Sequence, residues 1–224
     1  TSTSGSSSLA DYIEQGKVVG IQTSGIRGRI GEVVSAGKLK TPAIIRSHGG
    51  RPRAIEHFTN NPKHFEVSSS EYTNPANKSA YVNKLDFVVL FALEIDTNFN
   101  VNVITGSDGV LRRALGGHPD TAAGSKCCII VTPLTRGRMT TVCENVVTIT
   151  TPGDCVDILV TDYGIAVNPL RQDLVECLDK AGVKHMPIEE LKNKAYSLVG
   201  TPADLKWEDK VVAIVEARDG TILD

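Results

Sequence analysis

Residues 85–96, with the sequence LDFVVLFALEID, constrain the fold of this chain more than any other stretch. Apolar residues occupy odd and even positions alike, so a strand built from this run is apolar on both faces. Such a strand needs a sheet that is covered on both sides, usually by helices. Shorter apolar runs precede and follow it, and helical patterns separate some of them. We therefore predict an α/β fold with a mixed β-sheet flanked by helices.

The other elements follow from hydrophobic periodicity and from the positions of glycine and proline. Two C-terminal helices are expected at 169–182 and 188–200, and the first opens with proline and closes with Gly182. Residues 29–37 predict an earlier helix, and residues 210–224 predict a hairpin that turns at Asp219–Gly220. Further strands are expected at 18–24, 41–47, 99–105, 127–134, 147–151 and 156–162.

Length and charge exclude several classes of protein. The 224 residues carry a net charge of −2, so neither nucleic acid nor an acidic membrane surface is an expected partner. No apolar run reaches the roughly 20 residues of a membrane span. The opening TSTSGSSSLADY lacks the basic and apolar regions of a secretory signal and predicts a flexible tail at 1–8. We expect a single domain over 9–224.

The five cysteines are odd in number and form no CxxC pair. Cys127 and Cys128 begin an apolar run, where free thiols behave as small hydrophobic side chains. This usage favours neither a zinc site nor a disulfide framework, and it indicates a reducing cytoplasm. No histidine has metal-ligand spacing to another, so we expect no bound metal.

Residues 106–126, GSDGVLRRALGGHPDTAAGSK, place glycines and two adjacent arginines between predicted strands. The glycines are too widely spaced for a dinucleotide-binding loop, and no Gly-Lys-Ser/Thr closes a P-loop. Glycine lets the backbone approach a ligand closely, and the exposed N–H groups can donate to a phosphate or thioester oxygen. The segments TSGIRGRIG and SHGGRPR follow strands in the same way. Together these loops predict an anionic ligand, although each arginine taken singly fits a solvated surface residue equally well.

Carboxylates and amides follow the long apolar run. Glu94 and Asp96 end it, and Asn98, Asn100 and Asn102 share one face of the next strand. Two carboxylates at the end of a core strand are costly unless they are paired or face a cleft. A surface turn followed by a polar strand face also fits this pattern.

These stretches resemble the α subunit of citrate lyase. The resemblance implies a fold like the CoA-transferase α/β domains. It also implies that the acetyl group on an acyl-carrier thioester is exchanged for citrate, through a mixed anhydride and without a glutamyl-enzyme thioester. The matching stretches reach from Asp11 to the end: DYIEQGKV, IQTSGIRGRIGEVVSAG, IIRSHGGRPRAIE, LDFVVLFALEIDTNFNVNVITGSDGVLRRALGGHPDTAAG, VTPLTRGRMTTV, VDILVTDYGIAVNP and KVVAIVEARDGTILD.

The resemblance also implies the cofactor and the partners. The cofactor is the CoA-like phosphopantetheine group of the acyl carrier partner, and no metal is expected in this subunit. The partners are the β (citryl lyase) and γ (acyl carrier) subunits in an oligomer, with citrate and the acetyl thioester as substrates.

We predict that the loops ITGSDG and LGGHPDT line the pocket of such a transferase. Gly116 and Gly117 would present N–H groups to the thioester or anhydride oxygen, His118 and Asp120 would orient them, and Glu94 would stand at the strand end. Successive residues cannot both face one pocket, so one of two adjacent arginines should bind a substrate carboxylate and the other should be solvated. The residues expected to bind substrate are Thr23, Ser24, Gly25, Arg27, His48, Gly49, Gly50, Asn100, Asn102, Gly106, Arg112 and Arg113.

The chain departs from the family in length, because family members are longer and consist of two similar halves. The resemblance passes from the first half to the second at about Glu56–His57, and a large middle portion has no counterpart. Either one complete half-like domain results, or two parts of a longer chain are joined here. Three functions stay open: the citrate transferase subunit, another CoA-transferase or thioester hydrolase of the same fold, and a non-catalytic half-domain for complex assembly.

Overall fold

The computed structural model of this chain describes residues 6–18, 21–23, 32, 33, 36–38, 43–45 and 64–224. The chain divides into two units, Thr1–Asp86 with Gly124–Lys126, and Phe87–Ala123 with Cys127–Asp224. The expected junction at Glu56–His57 lies outside the described residues. The single domain expected over 9–224 therefore stays a prediction, as does the junction.

The first unit contains short helices and a parallel sheet. Helix α1 starts at Ser6, so three residues of the predicted tail are helical. The turns that follow are anchored by the buried side chains of Ala10 and Ile13. The first turn continues the helix at its N-terminus, where the backbone N–H groups have no partner within the helix. The elements are α1 (Ser6–Glu14), β1 (Gln22–Thr23), β2 (Ala43–Ile45), β3 (His64–Glu66), α2 (Ser69–Thr73) and a 3-10 turn (Tyr81–Lys84), with β1-β2-β3 paired in parallel.

Strands β1 and β2 confirm the strands predicted at 18–24 and 41–47, in shorter form. Of the helix predicted at 29–37, Glu32 and Val33 are helical and most other residues lie outside the described part of the chain. Gly37 has a φ of 69°, a left-handed conformation that suits a glycine at a helix end.

A four-stranded mixed sheet lies in the second unit. Its order is β12-β11-β7-β4, in which β4, β7 and β11 are parallel and β12 is antiparallel to β11. A second sheet has the order β10-β5-β6, with β10 parallel and β6 antiparallel to β5. The strands are β4 (Val88–Leu90), β5 (Glu94–Asp96), β6 (Val101–Asn102), β7 (Cys128–Val131), β8 (Thr135–Arg136), β9 (Met139–Thr140), β10 (Val142–Cys143), β11 (Ile158–Val160) and β12 (Ile165–Val167), and β8 pairs with β9 as a hairpin.

Residues 85–96 do not form the single strand that we predicted. β4 belongs to the four-stranded sheet and β5 to the other, with Phe91–Leu93 between them. The Ala92 carbonyl accepts hydrogen bonds from the side chains of Thr132, over 3.2 Å, and Arg136. Because side chains occupy this carbonyl, the strand ladder is interrupted there.

The strand predicted at 147–151 is also reduced, to an isolated antiparallel bridge between Val101 and Thr151. The Val147 N–H donates to the Glu94 carboxyl group instead of to a strand. Thr150 donates twice to the Val101 carbonyl, through its N–H and its hydroxyl. These bonds fix the segment against β5 and β6 without a continuous ladder.

The predicted C-terminal helices are confirmed as α4 (Gln172–Lys180) and α5 (Ile188–Val199), which follow α3 (His118–Gly124). Gly182 lies two residues after α4 and Gly200 directly after α5, with positive φ values of 69° and 88°. The C-terminal turn at Asp219–Gly220 forms one bridge, between Glu216 and Ile222. The mixed sheets and flanking helices confirm the predicted α/β class.

The core of the second unit joins both sheets. Ile95 and Val101 of the β10-β5-β6 sheet are fully buried, as are Ile130 and Leu159 of the four-stranded sheet. Leu191 of α5 packs into the same cluster. This cluster holds the ends of β5 and β6 in place, and the polar side chains described next lie there.

Candidate functional site

A buried carboxyl group and a buried amide meet where β5 pairs with β6. Glu94 and Asn102 are register partners and are 1% and 0% exposed. Asn102 Nδ2 donates to Glu94 Oε2 over 2.9 Å, and the Val147 N–H donates to the same oxygen over 3.3 Å. Burial raises the pKa of Glu94, and the two hydrogen bonds offset part of that rise. Glu94 is thus held in one orientation and is easier to protonate than a surface glutamate.

Asn102 also fixes the chain as it leaves β6. Its Oδ1 accepts hydrogen bonds from the N–H groups of Ile104, over 3.0 Å, and Thr105, over 3.1 Å. Its Nδ2 donates to Thr105 Oγ1 over 2.8 Å as well as to Glu94. One amide therefore positions both the carboxyl group and the start of the next loop.

Asp96 and Asn100 form a separate pair that closes the turn between β5 and β6. Asp96 Oδ2 accepts from Asn100 Nδ2 over 3.1 Å, and its Oδ1 accepts from the Asn98 and Asn100 N–H groups, each over 2.9 Å. Asn100 Oδ1 accepts from the Gly153 N–H over 2.9 Å. The side chain of Asn100 is thus hydrogen-bonded within and beside this turn, whereas the side chain of Asn102 is bonded to Glu94.

Arg112 closes the loop that follows β6. Its guanidinium donates to both carboxylate oxygens of Asp108, over 2.5 and 2.6 Å, and this bonding holds the pKa of Asp108 well below its usual range. A Cβ atom on Gly106 would lie 2.7 Å from Arg112 Nη1. Gly106 therefore lets the guanidinium lie directly against the backbone.

A narrow cleft lies between Glu94 and Arg112. Its volume is about 10 Å³, which is room for about one water molecule. A ligand group larger than a carboxylate oxygen therefore requires Arg112 to move. The cleft is lined by Leu93 and Glu94, by Gly106, Ser107 and Arg112 of the loop, and by Arg136, Met139 and Thr140 of the β8–β9 hairpin.

A wider groove adjoins the cleft, because Glu94 and Ser107 line both. The groove has a volume of about 350 Å³, within the range of roughly 300–1,000 Å³ that is usual for small-molecule sites. Tyr196 of α5, Leu205 and Trp207 form other parts of its wall. A small ligand can therefore lie in the groove and place one group in the cleft.

The two adjacent arginines point to different partners. Arg112 lines the cleft, whereas the Arg113 guanidinium carbon lies 4.7 Å from the centre of the Phe91 ring. That distance suits a cation–π contact. Arg113 is therefore stacked on an aromatic ring, where we expected one of the pair to be solvated. That one of the two binds substrate stays a prediction.

His118 is a buried and neutral residue at the start of α3. It is 6% exposed, its Nε2 lies 2.8 Å from the Phe91 carbonyl oxygen, and its Nδ1 lies 2.7 Å from Thr151 Oγ1. A carbonyl oxygen only accepts, so Nε2 carries the proton and Nδ1 accepts from the Thr151 hydroxyl. Burial lowers the pKa of His118 to about 4. The imidazole thus ties the start of α3 to two neighbouring segments without carrying a charge at neutral pH.

Gly116 and Gly117 form the turn that precedes α3. Gly116 has a φ of 58°, where a side chain is strained. The Gly117 carbonyl accepts from both the N–H and the hydroxyl of Thr121, over 2.9 and 2.5 Å. Among the described residues, neither glycine N–H has a hydrogen-bond acceptor. Neither glycine lines the cleft or the groove, and the role predicted for their N–H groups stays a prediction.

Asp120 is engaged by the C-terminal hairpin. Arg218 Nε lies 3.0 Å from each carboxylate oxygen of Asp120, and Arg218 Nη2 also donates to Oδ2. The expected orienting role of Asp120 therefore stays a prediction, and in this structure its partner is Arg218.

The predicted residues of the first unit lie largely outside the described part of the chain. Thr23 ends β1, and only its backbone is described. The predicted residues that the structure brings together are Glu94, Asn102, Gly106 and Arg112, and their roles stay predictions. The predicted residues outside the described part are Ser24, Gly25, Arg27, His48, Gly49 and Gly50.

The polar cleft residues of the β8–β9 hairpin were absent from the predicted set. Arg136 and Thr140 come from the β8–β9 hairpin in the stretch TRGRMT, where Gly137 turns with a φ of 59°. The sequence signal was a short polar run with two arginines around a glycine after an apolar strand. Its approach to Glu94 depends on tertiary packing.

The described residues include all five cysteines, and each is free. Burial raises the pKa of Cys127 to about 11 and that of Cys155 to about 12, which keeps these thiols protonated. Within the described ranges, no group of three or more His, Cys, Asp and Glu residues is arranged to hold a metal ion. In the same part of the chain, every helix is too short or too polar to cross a membrane.

The mixed sheets and their match to a solved relative define a CoA-transferase-like α/β protein. The model of the family described as citrate lyase, alpha subunit (CitF), matches residues 1–59 and 53–224. The chain therefore belongs to the citrate lyase alpha subunit family. The two matched segments overlap at 53–59, the stretch that contains Glu56–His57.

Three relatives illustrate the similarity. The citrate lyase alpha chain of Haemophilus influenzae is 55% identical over 171 residues, 76% of this chain and 34% of that protein. The alpha chain of Klebsiella pneumoniae is 49% identical over 200 residues, 89% of this chain and 39% of that protein. A crystal structure of the putative alpha subunit of citrate lyase from Streptococcus mutans, in complex with citrate, superposes with a TM-score of 0.88 at 41% identity. That match covers 96% of this chain and 42% of the other. The chain thus spans well under half the length of these relatives.

Proposed function

We propose that this chain carries the transferase step of citrate lyase, in which citrate replaces the acetyl group on an acyl-carrier thioester. The observation that carries the proposal is the match, over 96% of the chain, to an alpha subunit crystallised with citrate. The site supports it, because a cleft with two guanidinium groups opens into a groove of suitable size for a small polycarboxylate.

In the proposed reaction, a carboxylate oxygen of citrate bonds to the acetyl carbonyl carbon while the carbon–sulfur bond breaks. An acetyl–citryl anhydride and the carrier thiolate result. The thiolate then bonds to the citryl carbonyl carbon, and acetate leaves. No net proton is taken up, so the chain has to position the reactants and stabilise the negative oxygen of each addition step.

The chain's own residues supply these two functions in the proposal. The free N–H groups of Gly116 and Gly117 are suited to a developing oxyanion, since backbone donors add no group that titrates. Arg112 offers a two-pronged donor to a substrate carboxylate once it releases Asp108. Glu94 lines the cleft, and Asn102 holds its carboxyl group in place.

The carrier and the lyase are the proposed partners. The thioester would be borne by the phosphopantetheine of an acyl carrier (γ) subunit, and a β subunit would cleave citryl-carrier. These assignments rest on family membership. A reducing cytoplasm fits the free thiols, and we place the chain there.

The short length favours a second candidate, a non-catalytic half-domain that assembles with the other subunits. The chain covers 34–39% of its curated relatives, and the family match passes between two segments at 53–59. If the catalytic site of the longer relatives needs residues from the absent part, this chain binds carrier or lyase subunits without exchanging acyl groups.

An acyl-exchange assay separates these functions. The full chain is incubated with acetylated carrier protein and with citrate, citramalate or labelled acetate, and intact-protein mass spectrometry follows the carrier. We expect a citryl-carrier mass with citrate, and unacetylated carrier serves as the control. Exchange with citramalate but not citrate would indicate another CoA-transferase. Carrier binding without any exchange would support the half-domain. A stable glutamyl–CoA adduct, for instance at Glu94, would contradict the anhydride route.

A further inference from the structure

An arginine without a carboxylate partner lines the Glu94 cleft. Arg136 Nη2 donates to the Ala92 carbonyl and, over 2.7 Å, to Thr132 Oγ1. Among residues 64–224 no carboxylate pairs with it, and its Nε and Nη1 have no acceptor there. A guanidinium stays charged at any physiological pH. The cleft therefore contains a half-buried positive charge with unused donors.

Thr140 gives a second and independent indication of a ligand. It is 4% exposed, it lines the same cleft, and its hydroxyl has no hydrogen-bond partner among the described residues. Buried polar atoms are nearly always hydrogen-bonded, so this hydroxyl is suited to bond a polar group that enters the cleft. The hydroxyl of Thr141 is also buried and unpartnered, but Thr141 does not line this cleft.

The hairpin holds these two groups in place before any ligand arrives. β8 and β9 pair Thr135 with Thr140 and Arg136 with Met139. The Thr141 N–H donates to the Leu134 carbonyl over 3.0 Å and closes the base of the hairpin. The two bonds from Nη2 fix one end of the Arg136 guanidinium. Because these side chains are already held in place, a ligand loses little binding free energy to ordering them.

The balance of charge selects the class of ligand. Arg112 is paired with Asp108, and the Glu94 carboxyl group accepts hydrogen bonds from Asn102 and the Val147 N–H, so among the described cleft residues Arg136 is the cation without a carboxylate partner. The cleft admits a group of about the size of one water molecule, which suits a carboxylate oxygen better than a bulkier phosphate. The groove beyond Glu94 and Ser107 has space for the rest of the molecule.

We infer that Arg136 and Thr140 form a subsite that binds one carboxylate of a polycarboxylate, whose remainder lies in the adjoining groove. That the polycarboxylate is citrate rests on the proposed function. The carboxylate chemistry rests on the cleft alone.

Isothermal titration of the full chain with citrate tests the subsite. We expect Arg136→Gln to weaken citrate binding by at least about tenfold, since a charge-assisted hydrogen bond is lost. Arg138→Gln is the matched control, because Arg138 is an exposed residue of the same hairpin turn, and it should bind citrate like the parent. Acetate should bind far more weakly than citrate or tricarballylate, because it cannot reach the groove.

A second pair of variants keeps the test independent of Arg136, whose bonds to Ala92 and Thr132 also support the fold. Thr140→Val and Thr141→Val each remove an unpartnered buried hydroxyl, so neither should lower the thermal midpoint. Only Thr140→Val should weaken citrate binding, by about threefold to tenfold.

The outcomes separate this inference from the proposed function. Citrate binding that depends on Arg136 and Thr140, without acyl exchange, supports the subsite and rejects the transferase. Exchange with a citrate KM that neither variant alters rejects the subsite and leaves the transferase standing. No citrate binding by the parent chain, or equal losses in Arg136→Gln and Arg138→Gln, overturns the subsite.

Discussion

The pH dependence of folding provides a direct test of the role that we assign to His118. Burial lowers its pKa from 6.5 to about 4, so between these pH values the unfolded chain binds a proton that the folded chain does not. Because the folded pKa is the lower one, this stabilisation is fully present above pH 6.5 and is lost as the pH falls towards 4. At 1.36 kcal/mol per pKa unit, the loss is about 3 kcal/mol.

Urea unfolding of the chain and of His118→Gln across this pH range measures the effect. Glutamine keeps a donor and an acceptor but does not titrate. Glu94 works in the opposite direction, because its pKa is raised and acid relieves the cost of its ionisation, but it does so in both proteins. The stability advantage of the parent over the variant should therefore shrink by about 3 kcal/mol between pH 6.5 and 4.

His185→Gln is the matched control for this experiment. His185 pairs with Asp179 and has no bond to Phe91 or Thr151, so its variant removes a histidine while the contacts of His118 are kept. Parallel pH profiles for the parent and His118→Gln would refute the assignment. So would an NMR titration in which the His118 imidazole protonates near pH 6.5 in the folded chain.

Three further predictions test the site and the fold. Gly117→Val should abolish acyl exchange but leave the thermal midpoint nearly unchanged, and a large loss of stability would instead assign the glycine to packing. Arg112→Gln should raise the citrate KM by about tenfold or more and Arg113→Gln should change it little, because of these two arginines only Arg112 lines the cleft. Equal and small effects of both variants in steady-state kinetics would place citrate elsewhere. Gly153→Ala should destabilise the chain by about 3 kcal/mol or more in urea unfolding, because a Cβ would lie 1.9 Å from a backbone carbonyl oxygen. Gly182→Ala, where a Cβ meets open space but φ is 69°, should cost only about 1 kcal/mol, and equal losses for the two alanine variants would contradict the packing account.

Hydrophobic periodicity and the positions of glycine were sufficient to predict the elements that depend on interactions between neighbouring residues. The helices at Gln172–Lys180 and Ile188–Val199 are followed by Gly182 and Gly200, which adopt the positive φ that glycine tolerates best. The cost of burying a carboxylate also indicated that Glu94 would be paired or face a cleft, and it does both. The sequence alone also indicated the family, because a family is recognised from the order of residues along the chain.

Only the tertiary structure decided how residues 85–96 divide between two sheets, because the bonds that interrupt the strand come from Thr132 and Arg136, about forty residues away. It also decided that His118 ties the start of α3 to Phe91 and Thr151, and that Arg136 and Thr140 face Glu94. Hydrophobic periodicity reports which face of an element is buried, but it does not report which distant side chain will meet that face. The partners of a buried polar group are set by the packing of non-neighbouring segments, so they appear only once the chain has folded.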